Sequence, residues 1–213
     1  MEIHPPLGPI RSIKEFCVHL LTVVIGILIA LSLDGLLEHR QHDSLRREAR
    51  ANLAAEIREN QQRLEQGLAA APDAEERLKQ TVEAMDTSRR NPHVPWSGLD
   101  WAFAIYPLAS TAWSSAASTG AIGYMDYPEV QSYTRVYLVQ DQFLAVQQRT
   151  LDRWLDLQKW STRMNRPDAR SGFTAEELLQ VENAAAAALL YTQTEEAIAR
   201  SLIELYAKAL QPE

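Results

Sequence analysis

The chain has a single cysteine, Cys17, which excludes an intrachain disulfide and any zinc site built on cysteines. It also lacks the phosphate-binding Gly-x-x-x-x-Gly-Lys-[Ser/Thr] loop, the dinucleotide fingerprint Gly-x-Gly-x-x-Gly, the nucleophile elbow Gly-x-Ser-x-Gly and the zinc-protease motif His-Glu-x-x-His. No alternating pattern competes for strands, and there is no internal repeat. Between Lys14 and Ala71 there is no proline, and the only glycines are Gly26, Gly35 and Gly67. Basic excess is missing too. The formal charge of the 213 residues is −7, and Glu2, Arg11, Lys14 and Glu15 cancel before residue 34, so the deficit lies beyond it. An acidic domain is repelled by phosphate backbones, which argues against a nucleic-acid partner.

Charge is also absent from Phe16 to Leu33, 18 residues in all. As a helix this stretch rises about 27 Å, close to the hydrocarbon thickness of a bilayer. The sequence after it, Leu31-Ser-Leu-Asp-Gly-Leu-Leu37, makes a poor signal-peptidase site. A retained transmembrane helix over 16–37 is therefore expected, after an N-terminal tail of 1–15. Arg40, Arg46, Arg47 and Arg50 outnumber Arg11 and Lys14 across it, which by the positive-inside rule places the C-terminal part in the cytoplasm. Glu38, Asp43 and Glu48 dilute that bias, so the side of the soluble domain stays open. Thr22, Gly26 and Ala30 recur every four residues and form a candidate docking face for another membrane helix. His19, one turn inside the segment, reads as a headgroup hydrogen-bonder ahead of a chlorophyll or haem ligand. No cofactor is expected.

Beyond the membrane the pattern stays helical. Leu45, Ala49, Leu53, Ile57, Leu64 and Leu68 form one apolar stripe, predicting that the anchor continues as a stalk to about Ala71, where Pro72 stops it. Residues 73–90, with Leu78, Val82 and Met85 on one side, then read as a second helix folded back in a hairpin, giving a stalk-and-hairpin unit over 38–90. Over 91–213 a helical bundle is expected. Asn91 to Gly98 reads as a loop, and Asp100 to Ala109 as a buried apolar segment. Thr111 to Thr119 reads as a short helix ended by Gly120. A long helix should start at Asp126-Tyr-Pro-Glu129, a capping-box-like pair, and run to about Met164 with Val130, Tyr137, Leu144 and Leu151 facing the bundle. Pro167 and Gly172 break the chain. Thr174-Ala-Glu-Glu177 is a capping box opening a last helix to about Leu210, whose apolar face is Ile198, Leu202, Leu205 and Ala209. The expected fold is all-α: an N-terminal transmembrane helix continuing into a long stalk helix, then an antiparallel bundle.

Candidate chemistry is sparse. His39 and His42 share a helical face beside Glu38 and Asp43 and are metal-ligand candidates, but without a third ligand nearby they read as a solvated pair. Ser114, Ser115 and Ser118 have no histidine in their helix; small residues there suit close packing, and His93 is the only opening for a Ser–His hydrolase. Glu176, Glu177, Glu182, Glu195 and Glu196 read as a solvated face. Of the tryptophans, Trp96 and Trp101 lie beside loop prolines and are candidate interface anchors.

Val24-Ile-Gly-Ile-Leu-Ile-Ala-Leu-Ser-Leu-Asp34 followed by a polar, arginine-containing helix, with the later Trp113, Gly120, Tyr133 and Tyr137, resembles a family of short bacterial single-pass membrane proteins of unknown function. The resemblance implies an anchor near the N-terminus, a helical remainder and an N-terminus inside. It brings no activity, cofactor or catalytic residue. The leading expectation is a non-catalytic accessory subunit of a larger bacterial inner-membrane complex, for which energy-transducing assemblies such as photosynthetic reaction-centre–antenna complexes are examples. Its partners would be the lipid bilayer, other transmembrane helices and membrane-complex subunits. The alternative is a membrane-tethered sensor with a pocket between helices lined by Trp101, Trp113 and Trp154.

Overall fold

The computed structural model describes residues 13–91, 103–164 and 172–211. Trp96, Trp101 and His93 lie outside these residues. Within them the chain forms four α-helices, α1 (Ile13–Arg90), α2 (Thr111–Ser118), α3 (Tyr127–Met164) and α4 (Ala175–Ala209), and one 3-10 turn (Ala121–Tyr124). Two compact units divide between Glu48 and Ala49.

The first unit, described from Ile13, is the leading part of α1. Its apolar 18-residue window is long and apolar enough to cross a membrane, and none of it is buried. Two hydroxyls in its apolar stretch bond along their own helix. The Thr22 hydroxyl donates to the Val18 carbonyl at 2.9 Å and Ser32 to Leu28 at 2.7 Å, which lets both sit on an apolar helix without a stranded donor.

The second unit holds the core. The α1 hairpin expected at Pro72 does not form: α1 runs through Pro72 without a break. A proline inside a helix removes one hydrogen bond and crowds the preceding turn, at a cost of about 3 kcal/mol. Here the inward positions Leu53, Ile57, Asn60, Leu64, Gly67, Ala71, Ala74, Leu78, Thr81, Met85 and Ser88 keep steps of four and three on both sides of it, while Pro72 itself is exposed. Leu53, Ile57, Leu64, Leu78 and Met85 are at most 1% exposed. Each buried side chain of this size contributes about 1.5–3 kcal/mol, so packing on the two sides outweighs the lost bond.

Cross-helix pairs give the topology. Arg50 meets Glu129, Glu56 meets Tyr137 and Asn60 meets Gln140, so α1 and α3 run parallel. Tyr206 meets Gln140, Glu195 meets Gln147 and Glu177 meets Arg163, so α4 runs against α3. Glu75 with Gln193 and Arg89 with Glu182 set it against α1 as well. Between α1 and α3 the chain returns along α1 as an extended segment, 103–110, followed by α2. Successive limbs thus alternate in direction, as in an antiparallel bundle, with an irregular second limb. The segment 103–110 is half-buried rather than buried, and Ile105 is exposed. Gly120, at φ +75°, reverses the chain after α2 in a conformation that side-chain-bearing residues rarely adopt.

The inward rows of α3 and α4 differ from the expected ones. In α3 they are Tyr133, Gln140, Gln147 and Trp154, alternating with Val136, Phe143, Thr150, Leu157 and Met164. Of the expected row only Tyr137 is buried; Val130, Leu144 and Leu151 are half-buried flanks. In α4 the row is Leu178, Val181, Ala185, Ala188, Thr192, Glu195, Ala199, Leu202 and Tyr206, in unbroken steps of three and four. Of its expected face only Leu202 is fully inside; Ile198, Leu205 and Ala209 flank it. These rows are heptads with polar residues at inward positions, which makes the neighbouring apolar row look like the seam.

The helix starts differ in their chemistry. The Thr174 hydroxyl accepts from the Glu177 amide at 3.2 Å and the Glu177 carboxylate accepts from the Thr174 amide at 2.8 Å, completing the capping box. Arg163 forks onto the same carboxylate, with Nη1 2.6 Å and Nη2 3.1 Å from its oxygens. The Arg163 hydrogen bond, with the Thr174 amide, holds Glu177 down to about 2. A carboxyl whose folded pKa is depressed contributes stability above its unfolded value, near 4.3, and loses it as pH falls through the folded one. NMR titration of the Glu177 carboxyl should give a midpoint near 2, moving toward the ordinary range in Arg163→Gln. An unchanged midpoint in that variant would reject the pairing. At α3, Glu129 of the expected capping-box-like pair accepts from Arg50 on α1. The Asp126 carbonyl still accepts from the Val130 amide at 3.0 Å.

Candidate functional site

Polar contacts at regular intervals tie the returning limb and α3 to one face of α1. At the first, the Arg50 guanidinium forks onto Glu129, with Nε 2.6 Å and Nη2 2.5 Å from its two oxygens, and reaches Asp126 at 3.3 Å. Arg50 therefore belongs to the bundle as an ion pair. Two turns on, Glu56 accepts from the Tyr137 hydroxyl at 2.7 Å and from the Ala112 amide at 2.9 Å. Burial, and then this bond to Glu56, push Tyr137 far above the usual tyrosine range. Ser110 makes no side-chain cap on α2, so Glu56 satisfies a first-turn amide from outside. Trp113 stacks on Tyr137 with ring centroids 5.3 Å apart and planes 17° off parallel.

The central knot is Asn60, fully buried. Its amide accepts from the Ala109 N–H at 2.9 Å and donates to the Ala109 carbonyl at 2.7 Å, holding that residue as a neighbouring strand would. Gln140 donates to the same carbonyl at 2.9 Å and accepts from Asn60 at 3.1 Å and from the Tyr206 hydroxyl at 2.5 Å. All four limbs meet here with their polar groups satisfied. Further along, Arg63 donates to the Pro107 carbonyl at 2.6 Å.

Next to the knot the interior opens into a cavity of about 250 Å³. Its cause is legible in α1. Between Leu64 and Leu78 the inward positions are Gly67, Ala71 and Ala74, none larger than a methyl group. Phe103 and Tyr106 from the returning limb, Phe143 and Trp154 from α3, and Thr192, Glu195, Glu196 and Ala199 from α4 complete the wall. Phe103 tilts over Trp154 with centroids 5.8 Å apart, and the Trp154 indole N–H donates to Thr192 at 3.2 Å. Tyr106 lies flush on Gly67: a Cβ there would come within 2.7 Å of its Cζ.

The carboxylates of this wall overturn the reading of the acidic residues of α4 as one solvated face. Glu195 is only 6% exposed. It accepts from Gln147 at 3.2 Å, yet burial pushes it above the ordinary carboxylate range, against the opposing bonds from Thr150 and Gln147. Burial, and then the neighbouring Glu75, push Glu196 up as well.

The other candidates lie apart from this centre. Thr22, Gly26 and Ala30 are exposed on the first unit, and a Cβ at Gly26 would meet nothing within 4 Å. His19 is exposed there too. His39 lies 3.5 Å from Asp43 and His42 3.9 Å from Glu38, each across one helical turn. No group of three histidine, cysteine or acidic side chains poised for a metal occurs among the described residues. Ser114 donates to the Ser110 carbonyl and Ser118 to that of Ser115; both are exposed, as is Ser115, and of α2 only Ala116 is buried. The three serines therefore do not form a packing face, and the small residues that turn inward are Ala112 and Ala116. Of the tryptophans expected around a pocket, Trp154 lines the cavity while Trp113 is held on Tyr137.

The chain matches no family model, no curated protein and no solved structure. A pocket beside Trp154 was expected of a tethered sensor, whereas the small-residue run that opens it and the buried polar knot are not among the features read from the sequence. The signal that would have found them is the heptad phase, in which Tyr133, Gln140, Gln147 and Trp154 share one row of α3.

Proposed function

We infer that the chain is a single-pass protein of a bacterial cytoplasmic membrane, related to the short anchored proteins it resembles. It works by binding rather than catalysis, as an accessory subunit of a larger membrane complex. One observation carries this reading: the 18-residue apolar window of α1 is wholly exposed. A core helix of that composition would be covered by its own domain, so its surroundings are lipid and other membrane helices. The open Thr22–Gly26–Ala30 face supports close approach of a second helix, since packing rather than hydrophobicity drives association in lipid. An energy-transducing assembly is one setting for such a subunit.

A photo-crosslinking residue at Gly26, introduced in the full chain and irradiated in native membranes, should yield a discrete adduct with another membrane protein. The chain should co-purify with that protein in mild detergent. A monodisperse lone monomer with no adduct would reject the subunit reading, and recovery of a chain cut near residue 33 would reject the anchor itself.

A second reading, a membrane-tethered ligand-binding domain, is favoured by the cavity at Trp154. Apolar cavities with a few convergent polar groups are the usual form of small-molecule sites.

A further inference from the structure

The cavity in the bundle has a chemistry that selects its occupant. Its aromatic side is built by Phe103, Tyr106, Phe143 and Trp154, and its α4 side by Glu195 and Glu196. Asp73 and Arg77 stand on α1, and Arg200 pairs with Glu196 at 3.4 Å, so three carboxylates stand with two guanidiniums. We propose that this cavity binds a small organic cation, an ammonium carrying an aryl or alkyl body, with its charge against Glu195 and its body against the Phe103–Trp154 wall. The inference deepens the ligand-binding reading and rests on it.

Three features carry the assignment. The space is created by α1 itself, through the run Gly67, Ala71 and Ala74 between two leucines that are at most 1% exposed. Close packing elsewhere in the same seam makes this gap a local property rather than general looseness. Second, a buried carboxylate needs a partner. Glu195 is 6% exposed, and the groups that hydrogen-bond to it, the Gln147 amide at 3.2 Å and the Thr150 hydroxyl, are both neutral. A neutral guest would leave that carboxylate facing hydrocarbon, and an anionic guest would meet it as a like charge. Third, the opposite wall offers aromatic faces, which attract a cation most strongly once it is desolvated. Burial raises Glu195 above its ordinary range, and an ammonium arriving beside it would hold it ionised.

Glu196 belongs to the same wall. Its Oε1 is closed off from solvent and has no hydrogen-bond partner among the described residues. It is a second acceptor for the ammonium protons.

The test uses the full chain in zwitterionic lipid nanodiscs and calorimetry with three probes of one shape: 2-phenylethylammonium, the neutral 2-phenylethanol and the anionic phenylacetate. The cation should bind at least about tenfold more tightly than the alcohol, and phenylacetate should not bind. Glu195→Gln, which keeps the hydrogen-bonding shape and removes the charge, should weaken the cation about tenfold and leave the alcohol unchanged. Ala74→Leu, filling the gap, should abolish binding of every probe. Ala71→Leu gives the same readout if the first variant fails to fold by circular dichroism. Equal binding of cation and alcohol, or an unaltered cation affinity in Glu195→Gln, overturns the proposal while leaving the ligand-binding reading standing. If no probe binds, both fall.

Discussion

Asn60→Ala should lower the stability of the bundle by about 2–4 kcal/mol, the cost of stranding a buried donor together with the bonds lost. For a chain of this size that is a fall of roughly 10 °C in Tm. The side chain is fully buried and clamps both backbone groups of Ala109, at 2.9 and 2.7 Å. Truncation leaves the Ala109 N–H facing the interior without an acceptor, whereas its carbonyl keeps the bond from Gln140 at 2.9 Å. The damage is therefore directional: the amide of Ala109 should become exchangeable while the amides of α4 keep their protection. Thermal melting of the full chain in detergent, with hydrogen exchange read at Ala109, checks both parts. A loss below 1 kcal/mol (about), with Ala109 still protected, would show that the limb 103–110 is held by apolar contact instead.

The double substitution Ile25→Arg and Ile29→Arg should release the chain from the membrane. Each arginine near the centre of a span costs about 2.5–3.5 kcal/mol on insertion scales. The roughly dozen aliphatic residues of Phe16–Leu33, at about −0.3 to −0.6 kcal/mol each, sum to about −4 to −7 kcal/mol. Two arginines bring that sum to near zero. The unaltered chain should resist alkaline carbonate extraction and the double variant should be extracted, with the helical signal of residues 49–211 retained because none of that unit depends on Ile25 or Ile29. Extraction of the unaltered chain under the same conditions would remove the membrane from the account.

The two results address different physics. Asn60 is one polar residue whose removal costs because water cannot reach the groups it served. Ile25 and Ile29 lie in an apolar segment none of which is buried within the chain, so the expected effect there is on its surroundings. Both residues sit on the same helix, α1 (Ile13–Arg90), and what separates their roles is which surroundings each stretch requires.

Much of the architecture followed from local chemistry written along the chain. The uncharged run Phe16–Leu33 forms a helix long and apolar enough to cross a membrane, because its eighteen residues carry no charge and are mostly aliphatic. The capping box at Thr174–Glu177 and the stop at Gly120 appeared where expected because both depend on neighbours within a few residues. Three things only the tertiary structure decided. Pro72 stayed inside its helix because packing on both sides outweighed a local defect that sequence reasoning treats as decisive. The inward rows of α3 and α4 contained Gln140, Gln147, Thr192 and Glu195, since a polar side chain may be buried wherever a partner from another limb satisfies it, and those partners lie tens of residues away. The cavity arose for the same reason: Gly67, Ala71 and Ala74 are ordinary helix residues until Tyr106, Trp154 and Glu195 are brought around them. Periodicity reports which face of a helix is apolar, whereas only the assembled bundle determines which polar groups meet and where its small residues leave room.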